Sequence, residues 1–169
     1  MTNTAILAAS ALLMFAYLLD IVGRRWKLPS VVLLIVTGLL LRQIMDKFPK
    51  VIIILDHLSR TLFEDGPPYG QAAEFLALAK YKQVYLKITP INVTPKTWGK
   101  GTPETFFGKM IDTFGASRIA WGSNFPNSVG TLSEILGAAR KAFSFAKDSD
   151  QEWIFGKTAQ TLYPVLAGR

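Results

Sequence analysis

The chain has 169 residues, half of them hydrophobic, a formal charge of +7 and no cysteine. This excludes disulfides and thiolate metal sites, and the single histidine, His57, excludes any multi-histidine centre built from this chain alone. The basic excess is divided between residues 1–46 (four cations, two anions) and 47–169 (fifteen and ten), without an Arg/Lys run interleaved with aromatics. Nucleic acid is therefore not the expected partner, and an anionic small molecule or lipid is the milder expectation.

Residues 5–22 are apolar on every helical face and carry one charge, Asp20. Eighteen such residues make about 27 Å of helix, close to the ~30 Å hydrocarbon core of a bilayer. Arg24, Arg25 and Lys27 follow, with Trp26 among them as an interfacial aromatic, so a membrane-spanning helix with this loop on the cytoplasmic side is expected. Pro29 opens a second apolar run, Ser30 to Leu41, which is short for a span and fits a re-entrant or surface-lying helix. Two buried helices of a soluble protein are the competing reading.

From Lys47 the pattern changes. Val51-Ile52-Ile53-Ile54-Leu55 predicts a strand buried on both faces, with Asp56 and His57 at its end. A Gly-Pro-Pro loop leads to an amphipathic helix over 69–80, and Val84-Tyr85-Leu86-Lys87-Ile88-Thr89 predicts a second strand closed by Pro90. Thr102, Pro103 and Glu104 form a helix start, the apolar face continues through Phe106, Phe107, Met110, Ile111 and Phe114, and Gly115 ends the helix. Arg118 to Ser123 predicts the third strand, and helices over 131–146, 149–155 and on to about Leu162 complete the chain. Strand starts recur about every thirty residues, the βα repeat of a parallel sheet or barrel; a closed barrel takes eight strands, so three make a partial one.

Gly122, Ser123 and Asn124 end the third strand with a backbone open to close approach, a hydroxyl and a carboxamide, and Pro126 stops the ladder. Such polar strand ends are where α/β folds put chemistry, although Gly-Ser-Asn-x-Pro is also plain turn chemistry. His57 suits a general acid/base or ligand, or a structural histidine at a strand end. Arg60 could hold a substrate carboxylate, or be a solvated loop arginine. Lys87 is either an inward-facing polar group or a strand-edge lysine. Trp98 and Lys100 lie in a long loop over the same end, as part of a lid or as cover.

Two resemblances add to this. Arg24-Arg25-Trp26-Lys27-Leu28-Pro29-Ser30-Val31-Val32-Leu33-Leu34 with Thr37-Gly38-Leu39-Leu40-Leu41 resembles the amino-terminal helices of bacterial sodium/proton antiporters, over about forty residues and without a transport site. Four motifs resemble the carboxyl-terminal part of the amidohydrolase-related (amidohydrolase 2) family of (β/α)8-barrel hydrolases. They are Phe48-Pro49-Lys50-Val51 into Leu55-Asp56-His57-Leu58; Val84-Tyr85-Leu86-Lys87; Phe114-Gly115 into Arg118 to Pro126; and Ile154-Phe155-Gly156 into Thr158 to Tyr163.

The amidohydrolase resemblance implies that the three strands are the sixth, seventh and eighth of the barrel. It also implies hydrolysis of a lactone or other carboxylate-bearing small molecule. His57 and Asn124 would be catalytic residues, and Arg60, Lys87 and Ser123 substrate-binding. The family's first-strand histidine pair is missing, and Asn124 stands where the family commonly has Asp, so it can orient water but cannot take a proton. A divalent metal is a family possibility that this chain alone cannot complete.

The expected organisation is therefore a membrane-type helical segment, 1–46, followed by a partial barrel, 47–169. Residues 5–22 would engage a membrane with the tail cytoplasmic, and a second copy or partner chain would complete the barrel. A cytoplasmic protein is the alternative location. A non-catalytic membrane-anchored fragment or chimeric reading frame is the alternative function.

Overall fold

The computed structural model describes residues 42–168. The expected spanning helix 5–22, the run 30–41 and the antiporter-like segment lie outside the described residues. Among the described residues no helix is long and apolar enough to cross a membrane. The chain divides into two units, Met1–Val51 and Ile52–Arg169. In the first, residues 42–47 are helical; Phe48 N–H donates to Ile44 O at 2.8 Å, and Val51 N–H to Phe48 O at 3.0 Å.

The second unit is a parallel three-stranded sheet with helices between its strands. β1 (Ile53–Asp56) pairs with β2 (Val84–Ile88), and β2 with β3 (Ile119–Trp121), in the order β1-β2-β3. The register sets Asp56 opposite Lys87 and Lys87 opposite Ala120. Side chains alternate between faces along a strand, so Asp56, Lys87 and Ala120 share one face. Val84, Leu86, Ile88 and Ile119 share the other, and all four are buried.

The expectation that β1 is buried on both faces is corrected. Ile53, Ile54 and Leu55 are half-buried and Ile52 is exposed. The cause is position: among the described residues β1 pairs on one side only, and the sheet is not closed.

Helices α1 (Ala73–Ala77), α2 (Pro95–Trp98), α3 (Pro103–Phe114), α4 (Leu132–Ala142), α5 (Asp148–Glu152) and α6 (Thr158–Leu162) complete the unit. The expected helix 69–80 is broken into α1 between two 3-10 turns. α5 and α6 are joined by a π turn, Trp153–Lys157. α3 starts as its sequence dictates: Thr102 Oγ1 accepts the Thr105 N–H at 3.2 Å, and Pro103 occupies the first turn, where no donor is missed.

The apolar face of α3 buries Phe106, Phe107, Met110 and Phe114. Their rings continue a chain of aromatic contacts from Phe63 through Phe106 (4.8 Å), Phe107 (4.9 Å) and Phe143 (4.3 Å) to Phe155 (5.7 Å). Each such pair adds about 0.5–1.5 kcal/mol beyond its buried area. This cluster fixes the helices on the Leu86 face, so the opposite face and the strand ends are left for polar groups.

Candidate functional site

All three strands run in one direction, so their carboxyl ends lie at one rim. Here β1 ends in an unusual turn. His57, Leu58, Ser59 and Arg60 have φ of +51° to +53°, four consecutive left-handed residues with no glycine among them. Each costs about 1–3 kcal/mol unless the surroundings impose it. Three contacts do so: Leu58 is buried, Asp56 Oδ1 accepts the His57 N–H at 2.9 Å, and Asn92 Nδ2 donates to His57 O at 3.3 Å.

The turn aims the His57 ring along the rim. Its Nδ1 lies 2.6 Å from Thr89 Oγ1, and its Nε2 lies 3.7 Å from Asp56 Oδ2. The same Asp56 oxygen is 3.2 Å from Lys87 Nζ. His57 is about a quarter exposed and Lys87 about a third, so a small molecule can reach both. An imidazole, a carboxylate and an ammonium thus meet at adjacent strand ends.

Lys87 belongs to the central strand, which decides between its two readings. It points away from the aromatic core, paired to Asp56 across the ladder. Gly122 makes room for it: a Cβ there would sit 2.8 Å from Lys87 Cε. The close approach expected at Gly122 is therefore made by this side chain.

Arg60 is exposed and lines a cavity of about 310 Å³ with His57, Thr61, Glu64, Asn92 and Lys96. Asn124 lines a different cavity, of about 700 Å³, with Asn127, Ser128, Val129 and Ile135. The Pro90–Val93 turn and Thr94 stand between these clefts, with Ile91 and Thr94 bordering both. His57 and Asn124 share the rim but face separate clefts. Ser123 Oγ accepts the Phe125 N–H at 3.3 Å, which is turn chemistry.

Trp98 Nε1 donates to Asn92 O at 2.8 Å, and its ring packs on Phe107, so it supports the turn that borders the cavity. Lys100 N–H donates to Glu64 O, stitching two loops together.

Asp56, Thr89 and Asn92 carry this geometry; the sequence places Asp56 and Thr89 at strand ends on the rim but gives Asn92 no role. A signal was present. Thr89-Pro90-x-Asn92 has the same cap-and-proline form as the start of α3, and its capping box is formed: Asn92 Oδ1 accepts the Thr89 N–H at 3.0 Å.

A zinc site takes three or four protein ligands. Among the described residues no group of three His, Cys, Asp or Glu side chains could hold a metal ion, and Asp56 is already paired with an ammonium. These residues do not fit a metal centre by themselves.

A parallel βα sheet with polar groups gathered at its carboxyl rim is the architecture of part of a (β/α) barrel. A profile of the amidohydrolase family matches residues 32–165, and the chain belongs to that family.

The fold is shared with solved structures. One is an amidohydrolase from Burkholderia multivorans with zinc bound (TM-score 0.55, 18% identity, 72% of this chain and 47% of that one). The same protein with HEPES bound gives a TM-score of 0.54, again at 18% identity, over 71% and 47% of the two chains. A proposed 2-pyrone-4,6-dicarboxylic acid hydrolase from Pseudomonas putida gives 0.53, at 18% identity, over 71% and 49%. The chain therefore spans about half the length of the structures it matches. No curated protein matches it. None of the comparisons supports the antiporter resemblance, and the family match begins at residue 32, inside the second apolar run.

Proposed function

We propose that the chain acts as a hydrolase of carboxylate-bearing small molecules, a lactone foremost, at the rim formed by β1 and β2. The observation that carries this is the meeting of His57, Asp56 and Lys87 at the ends of neighbouring parallel strands. The hydrolase described for the Pseudomonas neighbour supports the substrate class.

In this reading a water gives a proton to His57 Nε2, and its oxygen bonds to the lactone carbonyl carbon. The Asp56 carboxylate stabilises the imidazolium so formed. Lys87 Nζ faces the negative charge that develops on the carbonyl oxygen. The acyl–oxygen bond then breaks, and the proton held at Nε2 passes to the departing ring oxygen. Arg60 and Lys96 border the same cleft and offer positive charge to the substrate's carboxylates. Ser123 and Asn124 belong to the neighbouring cleft, where the Asn124 carboxamide orients water or a substrate oxygen.

We propose in addition that residues 47–169 form the barrel portion and residues 1–46 a membrane-type helical segment. The described residues supply three parallel strands, so a second copy or a partner chain would complete the wall that excludes water.

The test is hydrolysis of carboxylated lactones and aromatic carboxylates by the purified protein, with and without divalent metal. Replacing His57 by Ala should lower turnover by about 10²–10⁴-fold, the usual worth of a general base. Equal turnover in His57→Ala would remove His57 from the reaction.

A further inference from the structure

We infer that Thr89 and Asn92 are positioning residues that hold neutral His57 as its Nδ1–H tautomer and leave Nε2 as the open acceptor at the rim. The inference about the tautomer stands on hydrogen bonds alone; its catalytic use rests on the function proposed above.

The direction of each bond follows from one donor that has no choice. The Thr89 backbone N–H can only donate, and it lies 3.0 Å from one terminal atom of the Asn92 carboxamide. That atom must be Oδ1. The other terminal atom, 3.3 Å from the carbonyl oxygen of His57, must then be the Nδ2 donor, so both contacts agree. The Thr89 hydroxyl lies 3.2 Å from the same Oδ1, where only donation is possible. A hydroxyl has one proton. With that proton committed to Asn92, Thr89 Oγ1 meets His57 Nδ1 at 2.6 Å as an acceptor, and Nδ1 must carry hydrogen. In the reverse arrangement the hydroxyl would donate to Nδ1. Two unprotonated oxygens would then face each other at 3.2 Å in a buried place, since Thr89 and Asn92 are 0% and 3% exposed.

The far nitrogen is thereby freed. Nε2 is 3.7 Å from Asp56 Oδ2, beyond hydrogen-bond length, and that oxygen is nearer to Lys87 Nζ. Asn92 contributes twice: it sets the hydroxyl's direction, and it holds the His57 carbonyl in the left-handed turn. Trp98 Nε1 in turn anchors the Asn92 backbone.

His57 is the single histidine in the chain, so its ring nitrogens can be read without assignment ambiguity. A long-range ¹H–¹⁵N spectrum of the uniformly labelled full chain, above the pH at which the ring loses its charge, reports the tautomer directly. The expected spectrum has a protonated-type Nδ1 and an unprotonated-type Nε2. Thr89→Val keeps the shape and removes the oxygen, and should shift the ring toward the Nε2–H form that free histidine prefers. Thr89→Ser should restore the wild-type pattern. A wild-type spectrum dominated by Nε2–H would overturn the inference, whether or not Thr89→Val folds. So would a folded Thr89→Val variant with unchanged nitrogen shifts. Where hydrolysis is measurable, Thr89→Val should lower kcat about 10–100-fold with little change in KM. Absence of hydrolysis with the Nδ1–H pattern present would count against the proposed function and leave the tautomer assignment standing.

Discussion

The two ends of the sheet are built on opposite lines. At the amino end the polar groups close the fold. Arg118 Nε donates to Phe114 O at 2.8 Å, and Nη1 donates to Tyr81 O at 2.9 Å and more distantly to Val84 O at 3.5 Å. Its guanidinium lies over the Phe114 ring, and burial draws its pKa below the usual arginine value. Nearby, buried Thr158 donates to Ala116 O. These side chains are spent on backbone carbonyls of the turns that close that end. At the carboxyl end the backbone is strained at four consecutive residues, and the Asp56, Lys87 and His57 side chains remain partly exposed. One end spends its polar groups on stability; the other holds them open at a cost to it, which is the division expected of barrel folds.

That contrast can be broken at either end. The largest effect is expected at Arg118. Replacing it by Ala removes two short charge-assisted hydrogen bonds and should cost about 3 kcal/mol, read from the urea midpoint. Arg118→Lys should recover little, because one ammonium cannot reach carbonyls on both sides. Lys87→Met at the rim should move the same midpoint by less than about 1 kcal/mol, as half-exposed ion pairs do. Equal losses at the two positions would dissolve the distinction.

A smaller change of opposite sign is expected in the strained turn. Ser59 has φ +52° and is exposed, so Ser59→Gly relieves a left-handed backbone without losing a buried contact. Stability should rise by about 0.5–1 kcal/mol in the same urea experiment. A loss would show that the turn is not strained.

The smallest effect lies at the start of α4. Glu134 accepts hydrogen bonds from Thr131 N–H and Oγ1, both at 2.8 Å, and these hold its carboxyl below the usual glutamate range. A carboxyl lowered in the folded state stabilises fully above its unfolded pKa and loses that contribution as pH falls through the lower, folded value. Amide protection factors at residues 132–135, exchange rates corrected for the intrinsic pH dependence, should therefore fall selectively as the pH drops through that lowered, folded-state value. Thr131→Ala should abolish that pH dependence.

The strands were legible because each is an aliphatic run closed by a polar or proline stop, and the thirty-residue spacing left only a parallel order. α3 was legible because Thr102, Pro103 and the Phe106–Phe114 face agree on one structure. The exposure of β1 was not: Ile52 to Leu55 is what a buried strand requires, and nothing local shows that the described sheet stops there. His57 and Lys87 could be placed at the rim from strand direction alone. Their partners were less visible. Asp56 to Lys87 depends on register, and the Asn92 contact with His57 depends on a left-handed turn that no glycine announces. Asn124 shows the limit of strand-end logic, because a shared rim does not ensure a shared cleft.

The central claim is that the carboxyl rim around His57 is a ligand site. The most direct test follows the His57 ring resonances while a carboxylated lactone is added to the full chain. A saturable shift is predicted in the wild type, weakened at least several-fold in affinity in Arg60→Ala and Lys87→Met and unchanged in Arg140→Gln, which lies by another cleft. His57 resonances that stay fixed through the titration would contradict the account.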